Sequence, residues 1–126
     1  MEVLSAENLV GRADAVVLSG GTVFGLAAGD GVASQLSLDG VGLKMGADLP
    51  TVPIVVGAIL FDLANGGNKD WGLEPPYRRL GLEALEDAKK NKGNAFEIGA
   101  VGAGLGAVSG QKQGGVGSTS LAFGGG

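Results

Sequence analysis

The sequence predicts an α+β domain, and three kinds of segment support this class. Residues 15–18 and 53–61 are short runs of β-forming apolar residues bounded by turn signals. Residues 77–91 place apolar side chains at helical spacing directly after two prolines. Residues 98–126 contain 11 glycines among 29 residues and one charge, Lys112. With 126 residues, the chain is expected to form at most a single domain.

The first half of the chain predicts a strand followed by a helix. Residues 15–18 are wholly apolar, as in a strand buried on both faces. Thr22 is the expected N-cap of a helix whose apolar residues recur at helical spacing within 23–27 and 32–36. Three glycines should let another backbone approach this helix closely: Gly25, Gly29 and Gly31.

The second half predicts a strand, a helix and a tail of bent strands. Residues 38–50 are expected to be loop with a short extended segment, and 53–61 to be a strand covered on both sides. The helix of 77–91 carries Lys89 and Lys90 near its C-terminal end, where cations suit the helix dipole, and Gly93 can end it. The glycine-rich tail should pack tightly on a neighbouring layer.

Composition excludes several kinds of chemistry. The chain has no cysteine and no histidine, which excludes thiol catalysis, thiolate or imidazole metal sites and a Ser-His-Asp triad. We therefore expect neither metal nor cofactor. A net charge of −4 disfavours nucleic-acid binding, because phosphate neutralisation supplies most of that affinity. The longest apolar run is too short for a membrane span, and Glu2 and Glu7 disfavour a signal peptide, so a cytoplasmic location is expected.

Residues 102–107 (GAGLGA) match the GxGxxA form of a dinucleotide-binding fingerprint. That site also needs a helix starting at the glycines and an acidic residue about twenty positions later. The following residues favour no helix, and no Asp or Glu occurs after Glu97. Close backbone packing is the favoured interpretation, with nucleotide binding as the alternative.

Other candidate site residues lie at the predicted strand ends. The Ser19-Gly20-Gly21 turn could present several amides to an anion or an oxyanion, although an ordinary strand-to-helix turn is favoured. Asp62, directly after the second strand, could orient a lysine or a backbone amide, or cap a turn. Lys112 either protects a strand edge or acts in a site.

Three phrases, taken together, resemble one family. They are AVVLSGGTVFGLAAGDGV at 15–32, VPIVVGAILFDL at 52–63 and GNAFEIGAVGAGLGAVSGQKQGGVGSTSLAF at 93–123. They resemble, in order and spacing, the L-aminopeptidase/D-esterase family, whose relatives include β-aminopeptidases and nylon-oligomer hydrolases. The resemblance implies part of a four-layer α-β-β-α sandwich, shared with ornithine acetyltransferase.

The same resemblance implies a precursor that cleaves itself and uses the new N-terminal Ser or Thr of its second subunit as nucleophile. The reaction is hydrolysis of N-terminal peptide, amide or ester bonds by acyl transfer, with an oxyanion hole. The implied partners are that C-terminal nucleophile-bearing subunit, a small peptide, amide or ester substrate and further copies in a homo-oligomer. Neither nucleic acid nor membrane is an expected partner.

The sequence departs from the family pattern in ways that limit which roles carry over. It ends before the expected nucleophile, so residues 1–126 are expected to be a single partial domain that is inactive alone. No catalytic residue is assigned to its hydroxyls: Ser5, Ser19, Ser34, Ser37, Ser109, Ser118, Thr119 and Ser120.

The resemblance carries over only the wall of a site: Ser19, Gly20, Gly21, Phe61, Asp62 and Lys112. Phe61 stands near an active-site Tyr of some relatives and lacks its hydroxyl. Lys112 is offset by one residue from the family's lysine. The alternative to a hydrolase part is a non-catalytic scaffold or binding protein that keeps half of the fold.

Overall fold

The computed structural model describes residues 11–124, which contain both helices and strands. The first part comprises β1 (Ala15–Ser19), a 3-10 helix (Thr22–Gly25), α1 (Leu26–Leu38), β2 (Val55–Ile59) and α2 (Tyr77–Lys90). The tail comprises a 3-10 helix (Gly102–Gly104), β3 (Val108–Ser109) and β4 (Lys112–Gln113). Within 11–124, neither helix is long and apolar enough to cross a bilayer.

β1 and β2 pair in parallel, with α1 on the connection between them. Their register runs from Ala15 opposite Val55 to Ser19 opposite Ile59. Because parallel strands end at the same edge of a sheet, the turns after β1 and β2 lie side by side. The Leu60 N–H donates to Ser19 O at 2.9 Å, and the Thr22 N–H donates to Leu60 O at 3.0 Å. This pairing brings the candidate site residues after the two strands together.

The other end of the strand pair is fixed by Asp14. The Ile54 N–H donates to Asp14 Oδ2 at 2.8 Å, and the Asp14 N–H donates to Ile54 O at 2.8 Å. Arg12 lies 3.4 Å from the other carboxylate oxygen of Asp14. These contacts set the register before β1 begins, so the carboxyl ends meet in a defined way.

α2 packs directly on α1 through backbone contacts that only small residues allow. A Cβ built on buried Gly81 of α2 would overlap the carbonyl oxygen of Ala28 in α1. A Cβ on Gly31 of α1 would lie 2.5 Å from the carbonyl oxygen of Arg78. The Arg78 guanidinium also contacts the Asp30 carboxylate at 2.8 Å. The two helices therefore form one rigid layer, which fixes where the first residue of α2 lies.

The buried core is small for a chain of this length. Among residues 11–124 its hydrophobic members are Ala28, Val32, Leu36 and Val56, and no large side chain is fully buried. Val16 and Leu18 on β1 are 59% and 60% exposed. The expectation that residues 15–18 are buried on both faces is therefore wrong within the described chain. The reason is that its two-stranded sheet has no described layer over this face, which parallel sheets normally require.

The predicted strands and helices lie where the structure has them, but their bounds and their burial differ. The strand expected at 53–61 forms only over Val55–Ile59, and Gly57 and Ala58 in it are exposed rather than covered on both sides. The helix expected at 77–91 is α2, and Glu86 and Lys90 pair across one turn at 3.5 Å. The tail forms the β3–β4 hairpin and a bridge between Gly99 and Val116.

Thr22 is not the helix N-cap that the sequence predicts. Gly21 occupies the N-cap position, and Thr22 is the first residue of the 3-10 helix with φ 54°. The Thr22 hydroxyl makes no cap hydrogen bond and is buried without a partner in the described chain. The physical reason lies in Gly21, whose left-handed conformation turns the chain one residue earlier.

The contact between the two helices predicts opposite effects for two helical glycine substitutions. Gly81→Ala should lower the free energy of unfolding by about 1–3 kcal/mol, because its Cβ would overlap the Ala28 carbonyl. Gly29→Ala is the matched control, since its Cβ would meet Val55 at 4.0 Å, an ordinary contact. Gly29→Ala should instead raise the free energy of unfolding by up to about 1 kcal/mol, because alanine has a higher helix propensity than glycine. Urea denaturation measures both, and equal stabilisation would contradict the close helix contact.

Candidate functional site

A carboxylate and a glycine turn meet at the carboxyl ends of β1 and β2. The Gly21 N–H donates to Asp62 Oδ1 at 2.6 Å. A Cβ on Gly20 would overlap the Asp62 carboxylate, and one on Gly106 would lie 2.8 Å from Asp62 Oδ2. Three glycine backbones thus surround one carboxylate, and a larger residue at Gly20 or Gly106 would displace it. Asp62 orients a backbone amide, which is one of the roles that its sequence position suggested.

Gly21 is held from its other side by the ring of Tyr77. The φ of Gly21 is +83°, which favours glycine. A Cβ at this position would overlap the Tyr77 ring. Gly21 therefore binds Asp62 through its N–H and lies against the Tyr77 ring, and the ring contact requires the absence of a side chain.

Thr22 adds strain to the same turn. A β-branched residue at φ 54° is a conformational outlier that typically costs on the order of 1–3 kcal/mol. Its N–H is bound to Leu60 O at 3.0 Å, while its hydroxyl has no partner within the described chain. Such strain persists only where surrounding contacts fix the backbone, as Asp62 and Tyr77 do here.

Tyr77 belongs to a short row of aromatic rings. Its ring meets Trp71 edge-to-face with centroids 5.6 Å apart, and Trp71 meets Phe24 in the same manner at 5.8 Å. The Trp71 indole N–H donates to Asn68 O at 3.1 Å, which anchors the middle ring. The row links the loop after β2 to the start of α2 and to the 3-10 helix after the glycine turn.

The Tyr77 phenol is held in its neutral form. Burial, and secondly the nearby negative charge of Asp62, raise the pKa of Tyr77 above its ordinary value of 10.0. At neutral pH the phenol is uncharged, as a tyrosine of ordinary pKa also is. Phe61 next to Asp62 supplies no such group, so Tyr77 is the phenol at this turn.

Asn65 and Lys69 continue the polar wall beyond Asp62. The Asn65 N–H donates to Asp62 O at 3.1 Å, and the Asn65 side chain packs where a Cβ on Gly106 would lie. The Lys69 ammonium donates to Asn65 Oδ1 at 2.9 Å and also to the carbonyl of Gly66. A carboxylate, an amide and an ammonium thus follow one another along the loop after β2.

These residues line an open cleft of about 1120 Å³. One wall is Ser19, Gly20, Asp62, Asn65, Lys69 and Tyr77. A second wall is the apolar stripe of α2 formed by Leu80, Ala84 and Ala88, and a third comes from the Gly102–Gly106 region. The cleft combines a few polar groups with apolar surface, which is typical of sites for small ligands.

The structure brings together four of the six predicted site residues. Gly20, Gly21 and Asp62 form the turn contact described above, and Ser19 lines the cleft beside them. Phe61 is 70% exposed and does not line the cleft. Lys112 lies exposed on β4 of the tail hairpin, outside the cleft lining, which matches the edge position considered for it. The assignment of these residues to a catalytic site stays a prediction.

The amides of the turn are mostly occupied by the chain itself. The Gly21 N–H is bound to Asp62 and the Thr22 N–H to Leu60. The anion that this turn holds is therefore the Asp62 carboxylate, and neither amide is free for an external oxyanion. The oxyanion role expected of the Ser19-Gly20-Gly21 turn stays a prediction.

No described hydroxyl is paired with a general base. Ser19 donates to the Gly20 carbonyl at 3.0 Å, Ser34 to that of Asp30 at 2.9 Å and Ser37 to that of Thr51 at 2.7 Å. A nucleophilic hydroxyl needs an adjacent base or a lowered pKa, and these contacts supply neither. Ser5 lies outside the described residues.

The glycine fingerprint at 102–107 serves packing in this structure. The only helix there is the three-residue 3-10 helix Gly102–Gly104, which offers no helix N-terminus to a pyrophosphate. A Cβ on buried Gly104 would lie 2.6 Å from the Val116 nitrogen. Within residues 11–124 no cluster of acidic side chains has the geometry of a metal site.

Sequence reasoning missed three cleft residues: Asn65, Lys69 and Tyr77. A signal existed for Tyr77, because the chain's single tyrosine follows two prolines at a helix start. The Asn65-Gly66-Gly67 turn immediately after an apolar strand was a signal for Asn65. Nothing in the sequence separates Lys69 from the other lysines of its region.

Comparison with known proteins matches the whole chain to one peptidase family. The model of peptidase family S58 matches residues 1–126. An uncharacterized aminopeptidase of Mycobacterium leprae is 40% identical over 123 residues, covering 95% of this chain and 33% of its own length. Uncharacterized aminopeptidases of Mycobacterium bovis and Mycobacterium tuberculosis are 40% identical over 119 residues, covering 94% of this chain and 32% of their own.

These matches show the family of the chain. The chain belongs to peptidase family S58, as the resemblance to the L-aminopeptidase/D-esterase family implied. The chain spans about a third of the length of the curated relatives it matches.

The negative charge of Asp62 near Tyr77 predicts a measurable effect on the titration of this tyrosine. Because the folded pKa of Tyr77 is raised, its stabilising contribution is full below about pH 10 and is lost as pH rises through the folded pKa. Asp62→Asn should lower the midpoint of phenolate absorbance, which reports Tyr77 alone in this chain. The midpoint should stay above the ordinary value, since burial remains the larger cause. Asp70→Asn is the control, and an equal shift in it would contradict the effect of the Asp62 charge.

Proposed function

We propose that this chain is the part of a self-processing aminopeptidase or amidase that forms one wall of its substrate cleft. The whole protein hydrolyses N-terminal peptide, amide or ester bonds by acyl transfer, in the proposed scheme. The observation that carries the proposal is the match of family S58 over all 126 residues. The relatives, which are named uncharacterized aminopeptidases, agree with this reaction class.

In this scheme, this chain supplies a wall of the cleft and another part of the protein supplies the nucleophile. The described residues contribute a cleft with a fixed turn, the Tyr77 ring and a lysine, and the described hydroxyls lack a base. The attacking Ser or Thr therefore comes from a C-terminal nucleophile-bearing subunit of the same precursor. That residue uses its own α-amino group or neighbouring groups as base, which fits a sequence without histidine.

The exposed apolar surface fits the same assignment. Val16 and Leu18 lie uncovered beside the cleft, and Leu80 on α2 is 43% exposed. A further layer over this surface would bury these side chains and narrow the open cleft. We propose that this layer belongs to the four-layer α-β-β-α sandwich. We also propose that the whole protein forms a homo-oligomer and is located in the cytoplasm.

The alternative candidate is a non-catalytic scaffold or binding protein. The same exposed strand β1 favours it, because an uncovered apolar face can bind another protein. The two candidates differ in one respect only. A hydrolase part becomes active when its nucleophile-bearing partner is added, and a scaffold does not.

Turnover of aminoacyl-p-nitroanilides tests the proposal. The purified 126-residue chain should show no hydrolysis above buffer, because removal of the nucleophile leaves only positioning effects. The protein expressed from its complete reading frame should hydrolyse at least one such substrate. Turnover by the 126 residues alone contradicts the missing nucleophile, and an inactive complete protein across L- and D-anilides and esters favours the scaffold.

A further inference from the structure

Tyr77 is a cleft residue that also lies against the glycine turn, at Gly21. Its ring occupies the space where a Gly21 side chain would be, and it lies close enough to Asp62 for that charge to raise its pKa. Gly21 carries the amide that binds Asp62. A residue that holds Gly21 in place therefore also sets the direction of that amide and the position of the carboxylate.

Three features hold Tyr77 in place, two through its backbone and one through its ring. It is the first residue of α2, directly after Pro75 and Pro76, so its backbone position is set by the helix start. Gly81 and Ala28 then hold α2 against α1. Trp71 packs edge-to-face on the ring. Little freedom remains for the ring, which makes it suitable as a rigid support.

We propose that Tyr77 is a positioning residue of the cleft, acting through its ring on Gly21 and thereby on Asp62. Removing the ring leaves Gly21 free to move away from the carboxylate, although the glycine itself is unchanged. The strained Thr22 peptide, held at φ 54° by the same turn, then relaxes as well. The polar wall of the cleft loses its defined geometry while α1 and α2 stay folded.

This inference rests on the proposed function for its effect on catalysis, and its structural part stands independently. In the protein expressed from its complete reading frame, Tyr77→Leu should lower kcat for an aminoacyl-p-nitroanilide by about 10- to 100-fold. KM should change by less than about threefold, since misplacement acts on the reacting geometry more than on binding. Tyr77→Phe keeps the ring and should restore kcat to within about twofold of the wild type.

Arg79→Gln is the matched control, because Arg79 lies exposed on α2 and pairs with Glu83 at 2.6 Å. It should leave kcat unchanged. Equal kcat for Tyr77→Leu and the wild type would overturn the proposal, as would a loss in Tyr77→Phe as large as that in Tyr77→Leu.

Two measurements decide the inference even if the complete protein hydrolyses nothing and the proposed function fails. Amide hydrogen exchange at Gly21, followed by NMR, should accelerate in Tyr77→Leu and stay slow in Tyr77→Phe. Gly21→Ala should lower Tm less in a Tyr77→Ala background than in the wild type, because the overlap with the ring is gone. Unchanged exchange at Gly21, or additive Tm shifts, would overturn the contact on which the inference depends.

Discussion

The rest of the site depends on the hydrogen bond from the Gly21 amide to the Asp62 carboxylate. The bond is 2.6 Å long and joins the turns that follow two parallel strands. A charge-assisted bond of this kind contributes more than a neutral one, on the order of 1.5–3 kcal/mol. It also decides which residues fit around it, because Gly20 and Gly106 leave no room for a side chain beside the carboxylate. The Asp62 carboxylate thus lies where three segments of the chain meet: the turn after β1, the loop after β2 and the tail at Gly106.

Much of the scaffold could be predicted because its signals are local. The apolar run ending at Ser19 and the proline-started helix of Tyr77–Lys90 follow from periodicity and from helix-start chemistry. The close backbone approach expected at three glycines is confirmed at Gly25 and Gly31. It is wrong at Gly29, where the nearest atom is a side-chain carbon of Val55 at 4.0 Å. The wrong prediction at Thr22 also has a physical reason. Thr22 has the composition of an N-cap, but the left-handed Gly21 turns the chain one residue earlier, and that depends on Asp62 and Tyr77.

The candidate site was predictable only in part, because long-range contacts define it. Ser19 to Gly21 and Asp62 stood out as strand ends, and parallel pairing brings such ends together. Tyr77 and Lys69 enter the cleft through the packing of α2 and of the loop after β2, which sequence spacing does not encode. Lys112 was a candidate because it is the single charged residue of the glycine-rich tail, but it lies on the tail hairpin, outside the cleft lining. Burial on both faces of β1 failed because it needs a layer that residues 11–124 do not supply.

The central claim is that these residues build and hold a cleft wall while the attacking hydroxyl comes from another part of the protein. The most direct test is to find the residue that carries the acyl group. The complete protein is incubated with an amino acid ester that is turned over slowly, so that the acyl-enzyme accumulates, and the acylated peptide is then identified by digestion and mass spectrometry. The account predicts an acyl group on a Ser or Thr that is absent from the 126-residue sequence. An acyl group on Ser19 or on any other hydroxyl of this chain would contradict it.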